Sequence, residues 1–279
     1  MLLTVPHLAQ PRTQAATDNQ QHNMQNYCKT IGALAAASAL VAGNTSAGTT
    51  TTTTTAAPMS ASAAAINYEL HAGYATEYLF RGTNLGDGLV ETGLDASANL
   101  GDGFSLSAGA WMGTFFNSPN TTESSNSETD LYTEVSKDFG FMTGSVGYIY
   151  YANLGALGRN SQEVSFAISR DFGFATASYT YFWGVQGQNN QGYSELALSR
   201  GFELSSCLKL NLSTDIGYLT DGGLCTAWTT KAALDWSVAE HAKLSPFVAL
   251  AVALDEKAGS AWAQTQNEYV AGAKLSVGF

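Results

Sequence analysis

Between residues 66 and 279 the side chains able to do chemistry are few, and most of them are acids. Two histidines fall in this region, His71 and His241, together with two cysteines, Cys207 and Cys225. No Gly-x-Ser-x-Gly elbow accompanies them, which excludes the nucleophile turn of an α/β-hydrolase. Enzymes built on small membrane barrels need a His with Ser or acidic partners near the outer leaflet. His71 sits low in the first predicted strand and His241 in a short turn, so neither is placed for that work. His71 is expected to be a polar interior residue hydrogen-bonded to its neighbours. Cys207 and Cys225 fall at opposite ends of one predicted strand, farther apart than the about 7 Å a disulfide allows. They are expected to be two free thiols. No metal-ligand spacing is present, and the glycines of 82–88 precede no helix that could hold a phosphate, so no cofactor is implied.

The acids carry more information, because of the elements that must position them. From Ile66 onward no stretch keeps a helical period, whereas two-residue alternation recurs throughout. In the first strand Tyr68, Leu70, Ala72, Tyr74, Thr76, Tyr78 and Phe80 share a face opposite Asn67, Glu69, His71, Gly73, Glu77 and Arg81. Continued along the chain, the pattern predicts about twelve strands. They are 66–82, 89–100, 104–116, 129–138, 141–151, 162–170, 174–183, 193–202, 208–219, 226–238, 243–254 and 265–279. Most are longer than the usual soluble strand and match the length of a tilted membrane strand.

Connections alternate between short and long. Gly101–Gly103, Asp138–Gly140, Asp171–Gly173, a link near Ser205 and Ala239–Ala242 are short. Polar segments at 83–88, 117–128, 152–161, 184–191, 220–225 and 255–264 are longer. The strings SKDFGF from Ser136 and SRDFGF from Ser169 mark a repeating hairpin. Short turns at one end and loops at the other are the layout of an outer-membrane barrel. A soluble closed barrel of this size would have to fill a wide interior, and its small Ala, Thr and Val faces are too slight for that. No Asp, Glu, Lys or Arg falls mid-strand on the apolar faces. Aromatics gather at strand ends: Tyr78, Phe80, Phe116, Tyr150 and Trp183 by the long loops, and Phe104, Phe172, Phe202 and Trp236 by the short turns. The predicted fold is therefore all-β, a transmembrane antiparallel up-and-down barrel of about twelve strands.

Phasing each strand by its apolar face turns Glu69, Glu77, Glu91, Asp95, Asp130, Glu134, Glu163, Glu195, Asp215, Asp235 and Glu268 inward. The inward bases are Arg81, Lys209, Lys231 and Lys274. Such an excess of acids favours cations. Glu77, Glu91, Glu163, Glu195 and Glu268, with Arg81 as counter-charge, are the expected constriction; Asp95, Glu134, Asp215 and Lys231 line the lumen around it. Cross-strand pairs such as Lys231 with Asp215 would instead neutralise and plug a narrow lumen. On the eleventh strand the inward Ala249, Ala251 and Ala253 leave room for a loop or the N-terminal linker.

The rest of the chain sets the compartment. Residues 1–47 read as an N-terminal extension and signal peptide, with Met24 as the expected start, one Lys29 and the apolar run from Ile31 to Ala42. That run is too short for the roughly twenty residues of a spanning helix. Residues 48–65 are a Thr/Ala/Ser-rich linker, expected to be disordered, and 66–279 the barrel. Net charge is −11 and only 13% of residues are charged, a balance unlike a cytosolic enzyme and one that repels nucleic acid.

In the final strand Tyr269, Ala271, Ala273, Leu275, Val277 and Phe279 alternate to the end of the chain. This resembles the C-terminal signal read by the outer-membrane assembly machinery, with Phe279, Val277 and Leu275 in the signal positions. The stretch YATEYLFRGTNLGDG, from Tyr74 to Gly88, resembles the opening of the TorF-like porin family of bacterial outer-membrane β-barrels. Thr76, Tyr78, Phe80, Arg81 and Gly82 match that family's first-strand pattern. The resemblance covers roughly 35 residues specifically and implies a Gram-negative outer-membrane channel of unassigned substrate. The expected partners are the outer-membrane lipid bilayer, the assembly machinery, and small solutes or cations. The expected activity is passive diffusion with a cation preference and no enzymatic function. The alternatives are a plugged structural or adhesive barrel and an outer-membrane lipid-modifying enzyme.

Overall fold

The structure, a computed structural model, describes residues 66–118, 124–154, 160–186, 192–220, 222–254 and 266–279. The expected signal peptide and linker lie outside the described residues.

Twelve strands follow one another: β1 (Ile66–Phe80), β2 (Thr83–Gly101), β3 (Phe104–Phe116), β4 (Ser125–Asp138), β5 (Thr143–Asn153), β6 (Ser161–Asp171), β7 (Thr176–Gln186), β8 (Tyr193–Ser205), β9 (Leu208–Leu219), β10 (Leu224–Ser237), β11 (Ala242–Ala253) and β12 (Glu268–Gly278). Each pairs antiparallel with its sequence neighbour, and β12 returns to β1, closing the barrel. Closure is completed at the chain end, where the Phe279 amide donates to the Tyr68 carbonyl at 2.9 Å. Even the 11-residue strands, at about 3.3 Å per residue and tilted about 45°, cover the roughly 25 Å apolar band of an outer membrane.

The outer surface answers what alternation alone leaves open. Leu70, Leu94, Leu131, Val146, Ile168, Leu196, Val248 and Leu275 are all exposed, on every side of the wall. A continuous apolar girdle on a closed barrel is a bilayer-facing surface, since soluble monomers rarely expose more than a few hundred Å² of contiguous apolar area. Exposed aromatics rim it at both ends: Phe116, Trp183, Trp228 and Tyr269 on one side, Phe139, Phe141, Phe172 and Phe174 on the other. Trp236 departs from the expected rim; it is buried.

The two DFG repeats make the same turn. Asp138 and Asp171 each accept the amide of the glycine two residues on at 2.7 Å. The Phe139 amide then donates to the Met142 carbonyl, and the Phe172 amide to the Ala175 carbonyl. An Asp side chain that bonds two residues ahead and a glycine with φ near +80° stop the strand and reverse it.

At the opposite end the first hairpin differs from its expectation. Residues 83–88, expected as a polar loop, belong to β2, and the reversal is the two-residue link Arg81–Gly82. Both residues have positive φ, 52° and 80°, the conformation that matches the twist of a two-residue hairpin. Strand pairing continues through a register shift at Tyr78/Leu79. Around this irregularity the hairpin is buried: Tyr78, Leu79, Phe80 and Thr83 are 1%, 4%, 7% and 8% exposed. Tyr78 and Phe80 are therefore not interfacial aromatics, as alternation suggested. The unpaired residue at the shift is Leu85, on β2, and Tyr78, Leu79 and Phe80 are buried in succession, so the tip is covered on both faces.

Candidate functional site

The hairpin tip enters the barrel and meets the opposite wall. Phe80 packs edge-on against Tyr151 of β5, ring centroids 6.0 Å apart. Gly82 lies so close to β10 that a Cβ there would fall 2.2 Å from the Ala227 Cβ. Ala251 of β11, at 0% exposure, joins the same apolar cluster. The room left by the small residues of the eleventh strand is thus filled by the β1–β2 hairpin. Among the described residues, this cluster is where a soluble protein would have its core.

Two polar tethers hold the tip. Arg81 donates to both carboxylate oxygens of Glu163 on β6, at 3.0 and 2.7 Å, with side-chain exposures of 10% and 5%. Its guanidinium also lies 4.4 Å from the ring centroids of Phe182 and Tyr193 and 4.8 Å from that of Phe80. A planar, always-charged group suits this site, because it offers paired donors to a carboxylate and flat faces to rings. Arg81 is held in the left-handed backbone region, which costs a non-glycine residue about 1–2 kcal/mol; the surrounding contacts offset it. The second tether is Tyr78, whose hydroxyl donates to Glu128 on β4 at 2.7 Å. Tyr151 adds a hydrogen bond of 3.0 Å to Glu163.

The expected lumen residues take varied places around this plug. Glu163 is the tether itself. Glu91, 3% exposed, accepts the Trp111 indole N–H at 2.7 Å. Asp95 accepts the Tyr132 hydroxyl at 2.5 Å and Glu134 the Ser145 hydroxyl at 3.0 Å. Glu77 and Glu268 meet each other near the long-loop end, where β1 approaches β12. Glu195 and Asp215 are half-buried on β8 and β9. Lys231 does not pair with Asp215 among the described ion pairs; its ammonium sits 4.4 Å above the Phe247 ring. Asp235 is served by Lys243 at 3.6 Å and by the Ser245 hydroxyl at 2.6 Å. Lys209 pairs with Glu203 at 3.0 Å, both largely exposed.

Three further expectations are corrected. Glu128 was assigned to a loop, but it lies in β4 and is 7% exposed. Its parity with Asp130, two residues on, was the available signal. His71 is not hydrogen-bonded to its neighbours: both ring nitrogens are buried without a partner. Cys225 is a free thiol, whereas Cys207 is disulfide-bonded, so the expectation of two free thiols fails at Cys207. Tyr78, Trp111, Tyr132 and Tyr151, which serve the buried acids, were not singled out as interior residues by the sequence; only parity hinted at the last three.

No family model matches the chain, and no curated protein matches it. Solved structures do match. An outer membrane channel from Pseudomonas putida F1 is 9% identical, with 77% of this chain and 95% of that one aligned, at a TM-score of 0.50. The KdgM porin is 9% identical over 77% of this chain and 98% of its own, at 0.46. A Salmonella typhi outer membrane phospholipase, solved as a dimer with bound calcium, is 15% identical over 76% and 90%, at 0.46. At these identities the likeness is one of fold.

Proposed function

We propose that this bilayer-spanning barrel works in the bacterial outer membrane as a passive channel for small solutes or ions, with a cation preference and with its lumen narrowed by the β1–β2 hairpin. The observation that carries the reading is the inner wall of a closed barrel in which acids outnumber bases. Glu91, Glu128, Asp130 and Glu268 are buried acids on that wall, and Arg81, with its side chain 10% exposed, is spent on Glu163. Lines of acid on a low-dielectric wall lower the energy of a passing cation and raise that of an anion.

The TorF-like resemblance supports the same reading from a second direction. Its matched residues include Tyr78, Phe80, Arg81 and Gly82, the four that seat the hairpin through Glu128, Tyr151, Glu163 and Ala227. The motif is then the signature of a tucked-in first hairpin. Phe279, Val277 and Leu275 fit an assembly signal in the same reading, with Phe279 exposed where β12 closes on β1.

The plugged structural barrel is the second reading, favoured by the depth at which the hairpin is buried. A lipid-modifying enzyme has less behind it. His241 is 70% exposed in the β10–β11 turn with only Glu240 at 4.0 Å, and His71 bonds no serine.

Purified protein in planar bilayers under a KCl gradient decides between them. The channel reading expects current with a cation-selective reversal potential, weakening as the Debye length falls from about 10 Å at 0.1 M salt to about 3 Å at 1 M. Glu77, Glu91 and Glu268 changed together to Gln should reduce the preference. The same change at Glu203 and Glu240, 71% and 89% exposed, should not. Anion selectivity overturns the cation preference, and silence in wild type and hairpin variants alike favours the structural barrel.

A further inference from the structure

Among the described residues His71 is the one histidine of the barrel wall, and its surroundings form a donor set that sequence spacing did not reveal. Glu69 and His71 are two apart on β1 and share its inward face, while Asp95 stands directly opposite Glu69 on β2. One ligand atom from each of the three lies within 4.8 Å of the others. Both imidazole nitrogens are buried and unpartnered. A buried donor and acceptor left unmet is uncommon in a folded protein and asks for an explanation.

The neighbours preserve this arrangement. Gly93 faces His71 across the ladder, and a Cβ there would lie 1.9 Å from Nε2, so only glycine lets the ring rest over β2 beside Asp95. Tyr132 reaches from β4 to donate to Asp95 Oδ1 at 2.5 Å, fixing that carboxylate while leaving its second oxygen. Supporting hydrogen bonds of this kind orient metal-binding carboxylates. No Lys or Arg forms an ion pair with Glu69 or Asp95 among the described residues. Lys274, beside them on β12, acts on His71 through its charge alone.

We propose that Glu69, His71 and Asp95 bind a divalent cation of the zinc class on the lumen wall. One imidazole nitrogen and two carboxylate oxygens suit a borderline metal that accepts three protein ligands and keeps a water in the fourth position. Calcium and magnesium want six or more oxygens, which this trio does not supply. With a single imidazole and a lysine nearby, the site is one of moderate strength.

The test is titration of Zn²⁺ into the refolded full chain in detergent, stripped beforehand with chelator and followed by calorimetry. One saturable site is expected, with Mg²⁺ giving no heat under the same conditions. His71→Ala and the isosteric Asp95→Asn should each weaken binding at least tenfold, and His241→Ala should leave it unchanged. Lys274→Gln should tighten it severalfold, because removing a nearby positive charge favours a cation; a purely structural trio has no reason to respond so. Absence of a saturable site in the wild type overturns the proposal. So does Zn²⁺ binding that survives in both folded His71→Ala and Asp95→Asn proteins. Binding is read without conduction, so its failure and that of the channel reading are separate events.

Discussion

Replacing Arg81 by Met should release the hairpin tip and raise the current through the barrel. The size of the effect follows from what Glu163 is left with. In the native protein that carboxylate, 5% exposed, receives two N–H bonds from Arg81 at 2.7 and 3.0 Å and one hydroxyl from Tyr151. Removing one partner of a buried ion pair costs about 3–5 kcal/mol, because the remaining charge stays desolvated. Displacing the tip lets water reach Glu163 and avoids that cost. At about 1.4 kcal/mol per tenfold, the ratio of seated to released hairpin should fall on the order of 10²–10⁴-fold.

The assay is single-channel recording in planar bilayers, reading the fraction of time in the larger-conductance state, with the heat-modifiable mobility shift confirming that each variant is folded. Glu163→Gln alone should also raise the open fraction. The double variant Arg81→Met with Glu163→Gln should return toward the wild type, because replacing both charges of a buried pair by neutral groups is often close to neutral. That recovery is the diagnostic feature, since a non-additive cycle reports direct coupling. If Arg81→Met conducts as the wild type does, or if the two single effects simply add, the latch is refuted.

Other perturbations test separate parts of the reading. Gly82→Ala and Gly101→Ala both place a Cβ on a residue with φ above +80° or close to it, but only the first collides with Ala227. Gly82→Ala should therefore raise conductance, while Gly101→Ala should lower thermal stability slightly and leave the current alone; equal currents would count against a seated tip. Deleting Phe279 should reduce the amount of heat-modifiable protein in the outer membrane without blocking export, and unchanged amounts would remove it from the assembly role. Protease sites inserted at Asn117 should be cut on intact cells and those at Asp138 or Asp171 should not, with the reverse pattern inverting the barrel.

The sequence alone settled the twelve strands and, along most of each, which residues share a face. Side-chain direction in a strand has a period of two, so runs such as Leu208 to Tyr218 fix both the element and its faces without reference to any partner. Turn chemistry is equally local: Asp138 and Asp171 bond their own glycines two residues ahead, so the repeated DFG could be read as a turn at sight. Within β2 the parity of Glu91 and Asp95, and within β4 that of Asp130, also placed them among residues that are buried or half-buried. Only the tertiary structure decided what happens past Tyr78. The hairpin tip is covered on both faces, which alternation does not mark, so Tyr78, Leu79 and Phe80 are all buried. The contacts that hold the tip lie 50 residues away from Tyr78 at Glu128 and 82 away from Arg81 at Glu163. The same is true of Glu69, His71 and Asp95, which become neighbours only because β1 and β2 pair in one register. Local pattern sets which way a side chain points, while closure of the barrel sets which distant residues it meets there.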